Sequence, residues 1–190
     1  MPKLGMEPKR RAALVSAVID EIGEAGSLDV TVSKIAKRAG MSSGLAHHYF
    51  GSKDQMLIAA MRHILKVYSQ KVVGGLRHAQ DSRARLDAII RANFEDHVFD
   101  QRKTSAWLSF YALSQSNEDA AYLMGVYQRR LRSNLMHELR ALTNRPEAVE
   151  RALSAQIDGV YLRAALSKQK TVPLAADTVV MTCSALLQNG

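Results

Sequence analysis

Apolar residues recur along this chain at intervals of three and four, the spacing that gathers them on one face of an α-helix. No segment sustains the two-residue alternation of a half-buried strand. The first stripe, Leu14, Val18 and Ile22, predicts a helix over Glu7–Ala25 that ends at Gly26. Thr31 stands where an N-cap is needed for a short helix over Val32–Ala39, and Gly40 where a left-handed C-cap would close it. Ser42 or Ser43 caps a second short helix that runs to about Tyr49, and after the break at Gly51-Ser52 a long helix opens at Lys53 and runs to about Leu76. Longer amphipathic patterns follow over Ser82–Asp100, Lys103–Gln115, Glu118–Leu142, Pro146–Lys168 and Pro173–Leu187. Two of these begin on a proline, which a first helical turn tolerates. The expected fold is therefore all-α, with about nine helices and no internal repeat.

The helices change character near residue 51, from short to long. This predicts a small N-terminal domain over residues 1–52 and a larger one over 53–190, joined by the helix that starts at Lys53. Helices of about eight residues are marginal in water and must be held by packing. Val32, Ile35, Ala36 and Ala39 share one face, Leu45 and Phe50 can reach the same core, and Gly40 supplies the reversal. Over residues 31–50 this is the shape of a helix-turn-helix, whose second helix enters the major groove of DNA.

The polar content of that second helix suits the role. The hydroxyls of Ser42 and Ser43 and the free N–H groups beside them fit phosphate oxygens, and Gly44 lets the backbone come close. His47 and His48 offer hydrogen bonds to bases or phosphates, Tyr49 has a hydroxyl within reach of a phosphate, and Lys53 is a cation at the next helix start. Lys34, Lys37 and Arg38 add positive charge on the outer side of the preceding helix. A plain helical hairpin with Tyr49 and Phe50 in its core has the same apolar spacing, so spacing alone leaves both readings open.

Charge tilts the balance towards DNA: 26 lysines and arginines against 18 acids leave a formal +8, which favours a polyanionic partner. Hydrophobic residues at 47% and charged ones at 23% are an ordinary globular mixture. The one cysteine, Cys183 in "VVMTCSALL", permits no disulfide within the chain and reads as a small buried hydrophobe, as in a reducing compartment. "MPKLGMEPKRRAAL" lacks an apolar signal core, and no stretch approaches eighteen uncharged apolar residues, so a soluble, cytoplasmic protein without membrane contact is expected.

Enzymatic readings find no footing. GxSxG, P-loop, HExxH and paired-cysteine patterns are missing, and His63, His78, His97 and His137 are scattered. His47 and His48 are adjacent, so they point to different helix faces and share no metal. No catalytic residue, metal or cofactor is expected. A helical scaffold on an anionic surface is the remaining alternative, since "EPKRRAAL" suits lipid as well as DNA phosphate.

The stretch "TVSKIAKRAGMSSGLAHHYFGSKDQML" closely resembles the DNA-binding segment of TetR-type transcriptional repressors, through Thr31, Ile35-Ala36, Ala39-Gly40, Ser42, Tyr49-Phe50, Lys53 and Leu57. More narrowly, "MPKLGMEPKRR", "AHHYFGSK", "AWLSFYALSQ", "RRLRSNL" and "IDGVYLRAAL" are similar to the choline-responsive members of that family, which repress glycine betaine synthesis genes. The resemblance implies a homodimer that holds a palindromic operator until a small molecule, here choline, loosens it. Thr31 joins the DNA-facing set on that ground. A repressor of the same type with a different effector is the nearest alternative.

A quaternary ammonium has no N–H to donate and is held by aromatic faces, at about 0.5–2 kcal/mol each, often beside a carboxylate. The resemblance therefore directs attention to Trp107 and Tyr111, four apart on one helix face, to Phe94 and Asp96 in "ANFEDHVFD", and to Asp158 and Tyr161 in "IDGVYLRAAL". The same aromatics can be plain core, and Asp158 can pair with Arg163, Arg129 or Arg130. For the dimer, Leu153, Ile157, Val160 and Ala164 form one stripe and Val179, Cys183 and Leu186-Leu187 another, enough for a four-helix interface.

Overall fold

The computed structural model describes residues 6–95, 100–166 and 175–188. Within them run nine helices: α1 (Met6–Ala25), α2 (Val32–Arg38), α3 (Ser43–Phe50), α4 (Lys53–Leu76), α5 (Ser82–Ala92), α6 (Gln101–Leu113), α7 (Glu118–Leu139), α8 (Pro146–Leu166) and α9 (Ala175–Gln188). Among the described residues there is no strand, and no helix is long and apolar enough to cross a membrane. Pro173, expected to open the last helix, lies outside the described residues.

The caps account for most boundaries. The side chains of Thr31, Ser42 and Ser52 each accept from the backbone N–H three residues on, at 3.2 Å, which starts α2, α3 and α4. Gly40 at φ +67° closes α2 in the left-handed region that favours glycine. The fifth helix stops eight residues short of the sequence expectation. The Asn93 amide donates to the carbonyls of Ile89 and Ile90, and Asp100 turns out to be the N-cap of α6, accepting from the N–H groups of Arg102 and Lys103. Periodicity could not separate a helix-ending aspartate from a helix-starting one.

The stripe Leu14, Val18 and Ile22 is fully buried and meets Ile35 and Ala36 of α2. In α3, however, the buried residue is Ala46, whereas Leu45 stays half-exposed outside the core. A small side chain lets a short helix sit close to its neighbours. From this head, α1 packs along both α4 and α6, so the head is joined to the body by two surfaces rather than by α4 alone.

In the body, α8 packs on α6, α7 and α9, and α5 on α4, α7 and α9. Phe110, Leu86, Ile89, Ile90, Leu135, Leu139 and Leu153 are sealed at its centre. Two buried carboxylates tie helices: Glu138 of α7 takes Arg85 of α5 at 2.8 Å, and Glu150 of α8 takes Arg132 of α7 at 3.6 Å and the Ser154 hydroxyl at 2.8 Å. The stripe expected at a dimer surface is largely interior to the subunit. Leu153, Ile157, Ala164, Val179 and Cys183 are buried, and Leu186 and Leu187 pack partly against the same core. Another face of α8 and α9 is uncovered instead, with Leu162, Leu166 and Met181 at 46%, 72% and 68% exposure, flanked on α8 by exposed Ala148, Ala152 and Ala155. Both stripes have helical period, and only the packing of neighbouring helices decides which turns inward.

Candidate functional site

Two surfaces carry the chemistry. On the head, α3 presents Gly44, His47 and His48 to solvent, with Thr31 and Ser42 exposed at the starts of α2 and α3, and Ser43 and Lys53 half-exposed beside them. The Thr31 and Ser42 oxygens already accept a cap bond, which leaves each hydroxyl hydrogen free to donate to a phosphate. His47 Nδ1 lies 2.9 Å from the Gly51 carbonyl oxygen, an acceptor. That bond places the proton on Nδ1 and leaves Nε2 for an outside partner. A Cβ on Gly44 would meet no protein atom within 4 Å, so the space over that backbone is open to whatever approaches.

Two expected contacts are already committed within the protein. Arg38 bridges Glu21, at 2.5 Å, and Glu24, both on α1; these hydrogen bonds raise its own pKa, and the bond from Arg38 lowers that of Glu24. Its charge fastens α2 to α1, leaving Lys34 and Lys37 as the cations of α2 that hold no ion pair among the described residues. Tyr49 is half-buried and its hydroxyl accepts from Arg10 at 3.2 Å, while Arg11 lies 4.8 Å over the Phe50 ring. The first helix thus secures the aromatic end of α3, a task the sequence did not reveal.

In the body, Trp107 and Tyr111 of α6 meet edge to face at 5.7 Å, as their four-residue spacing requires. The Tyr111 hydroxyl donates to Asp158 of α8 at 2.7 Å. No arginine lies in ion-pair range of Asp158 among the described residues, so the pairing with Arg163, Arg129 or Arg130 does not form. These side chains, with Tyr161 and Leu162, line an open cleft of about 260 Å³ between α6 and α8. Burial pushes the Asp158 carboxyl above its ordinary range, against the opposing pull of the Tyr111 hydrogen bond. It pushes the Tyr111 phenol up too, with the Asp158 charge adding to the effect. A half-buried carboxylate framed by aromatic rings, with no ion-pair partner among the described residues, has the chemistry to hold a soft, weakly hydrated cation.

Phe94 is buried and lies tilted against Tyr161 at 5.9 Å, backing the wall instead of lining the cleft. Tyr161 donates to the Asn93 carbonyl, which fixes its ring. Asp96 lies outside the described residues. Sequence reading left Tyr68 of α4 out of the site, whereas Tyr127 of α7 lies in "YLMGVY", a stretch whose aromatics were candidates for the cage. Tyr127 stacks edge to face on Trp107 at 5.1 Å and on Tyr68 at 5.6 Å, extending the aromatic cluster inward to a narrow chamber. Tyr68 follows Ile64 at helical spacing on the buried side of α4, which was the available signal. Tyr122, an aromatic in the same segment as Tyr127, is exposed and takes no part. Among the described residues, no cluster of His, Cys, Asp or Glu has metal-binding spacing.

Residues 14–60 match the bacterial regulatory proteins of the tetR family, and residues 82–188 match the C-terminal domain of BetI-type transcriptional repressors. The chain is 45% identical over 183 residues to the HTH-type transcriptional regulator BetI of Brucella anthropi, covering 95% of this chain and 93% of the relative. It is 44% identical to BetI of Rhizobium meliloti, covering 95% and 88%. Among solved structures, a transcriptional regulator from Saccharomonospora viridis in complex with choline aligns with a TM-score of 0.82 at 20% identity, over 96% of this chain and 97% of that one. A Rhodococcus regulator aligns equally well, at 23% identity over 94% and 96%. These two likenesses establish the fold.

Proposed function

From the premise that the chain belongs to the TetR family and is a BetI-type transcriptional repressor, we infer that its effector is choline and that it controls genes for converting choline to glycine betaine. Such regulators bind operator DNA and a small molecule and act as dimers. In this reading residues 1–52 are the DNA-binding domain and 53–190 the effector and dimer domain. The observation that carries the choline assignment is the cleft in which Asp158 sits beside Trp107, Tyr111 and Tyr161. A trimethylammonium group has only C–H groups to offer. It gains from ring faces at about 0.5–2 kcal/mol each and from a carboxylate freed of competing arginines. A regulator of the same fold has been solved with choline bound, which supports the same effector class here.

On the DNA side, the proposed contacts are Thr31, Ser42, Ser43, Gly44, His47, His48 and Lys53, with Tyr49 positioning α3 through Arg10. The proposed homodimer forms through the uncovered face of Leu162, Leu166 and Met181. Two-fold symmetry then sets the recognition helices about 34–36 Å apart and calls for a palindromic operator. Choline would act by favouring the conformer whose recognition helices no longer match that spacing, with a coupling equal to its differential affinity for the two states.

Titrating choline while recording Trp107 fluorescence tests the effector, because Trp107 is the one tryptophan in the chain and lines the cleft. A saturable change, with matching calorimetric heat, is expected. Silence in both measurements removes choline as effector. Steep salt dependence with preference for an inverted-repeat duplex is the expected DNA behaviour.

A further inference from the structure

The cleft described above is one of two chambers that meet at Trp107 and Tyr161. The outer one holds about 260 Å³ and contains Asp158. The inner one, bounded by Tyr68, Asn93, Tyr127 and Ile64 as well as the two shared rings, holds only about 10 Å³, space for one water-sized group. Its walls are mostly aromatic and aliphatic, with Asn93 and the tyrosine hydroxyls as the polar groups among them.

The Tyr68 hydroxyl is enclosed and makes no hydrogen bond with the protein. The neighbouring Asn93 side chain acts on it in the direction that lowers its pKa, against the larger effect of burial, while the Asn93 amide nitrogen donates to the carbonyls of Ile89 and Ile90. Burial pushes the Tyr68 phenol up to about 12, so it is a neutral donor and acceptor throughout the physiological range. Leaving such a group unpaired is destabilising, a cost that phenylalanine at the same place would avoid.

We propose that Tyr68 reads the hydroxyl end of the effector. The trimethylammonium occupies the outer chamber against Trp107, Tyr111 and Asp158, and the hydroxyl passes between Trp107 and Tyr161 to bond the Tyr68 phenol. The shapes correspond: a bulky cation in the wide, acidic chamber, and one small polar group in the narrow chamber with one unsatisfied polar atom. This rests on the choline reading and adds the basis for choosing a quaternary ammonium alcohol over a plain quaternary ammonium ion.

The test compares choline with ethyltrimethylammonium, the same cation without the hydroxyl, on the full-length protein and on Tyr68→Phe, by calorimetry and Trp107 fluorescence. Wild type should bind choline about tenfold more tightly than ethyltrimethylammonium, and Tyr68→Phe should bind the two equally. The variant should retain its affinity for ethyltrimethylammonium, which shows that its cleft is intact. If wild type prefers choline and Tyr68→Phe keeps that preference, the proposal is overturned while the choline assignment stands. If wild type binds both equally, the narrow chamber reads no hydroxyl and the proposal also fails. If wild type binds neither ion, the choline assignment itself has failed.

Discussion

Gly23 of α1 and Arg102 of α6 meet backbone to backbone: a Cβ on Gly23 would lie 2.5 Å from the Arg102 carbonyl oxygen. Around this contact, Arg102 reaches Glu24 at 3.2 Å and Asp20 at 3.6 Å, and Glu24 also takes Arg38 of α2. The head is thus seated against the helix that, five and nine residues further on, carries Trp107 and Tyr111. Exposed ion pairs of this kind add little stability individually, but they fix the register of three helices.

Gly23→Ala should therefore separate α1 from α6. The expected outcome is a loss of about 1–3 kcal/mol in denaturant unfolding, from overpacking against backbone that cannot yield. The change in operator affinity on adding choline should shrink as well. A variant that keeps the full choline response would show that the signal travels along α4 alone.

Gly44→Ala makes the opposite kind of test. Nothing in the protein opposes the added methyl, and alanine favours a helix by about 1 kcal/mol over glycine, so the fold should be unharmed or slightly stabilised. Operator affinity should nevertheless fall, by about 1–3 kcal/mol if the DNA backbone approaches as closely as proposed. Melting temperature and fluorescence anisotropy with labelled operator separate the two effects.

If choline binds beside Asp158 as proposed, that carboxyl should give its binding a pH dependence. Its folded pKa is raised by burial, so protonation stabilises the free protein, and that contribution is lost as pH rises from the ordinary aspartate value through the raised one. The cation needs the ionised form. Choline affinity should fall on acidification through a pH above about 3.9, the usual aspartate value. Asp158→Asn should bind choline weakly with a flat profile over the same window; calorimetry at several pH values reads both.

For assembly, Leu166→Asp and Met181→Asp place charge on side chains that the subunit leaves mostly exposed. Helical content and unfolding within the subunit should change little, whereas sedimentation should shift from a dimer towards the 21.0 kDa chain. Palindromic operator binding should weaken with it, because two half-sites are no longer engaged together. Retention of the dimer by both variants would assign the interface elsewhere.

Helix number and class, the caps at Thr31 and Ser42, the turn at Gly40 and the pairing of Trp107 with Tyr111 were all legible in the sequence. They depend on neighbours three or four residues apart, and local spacing fixes such relations. Tertiary structure alone decided what depends on distant segments: Ala46 rather than Leu45 meets the core, Arg38 is bound to α1, Asp158 answers to Tyr111 instead of an arginine, and Tyr68 joins Trp107 through Tyr127. It also decided that one apolar stripe of α8 is the subunit's own core and the other is left uncovered. A helix with two greasy faces carries no record of which neighbour arrives first. The closing of the bundle, which buries one face by excluding water from it, makes that choice.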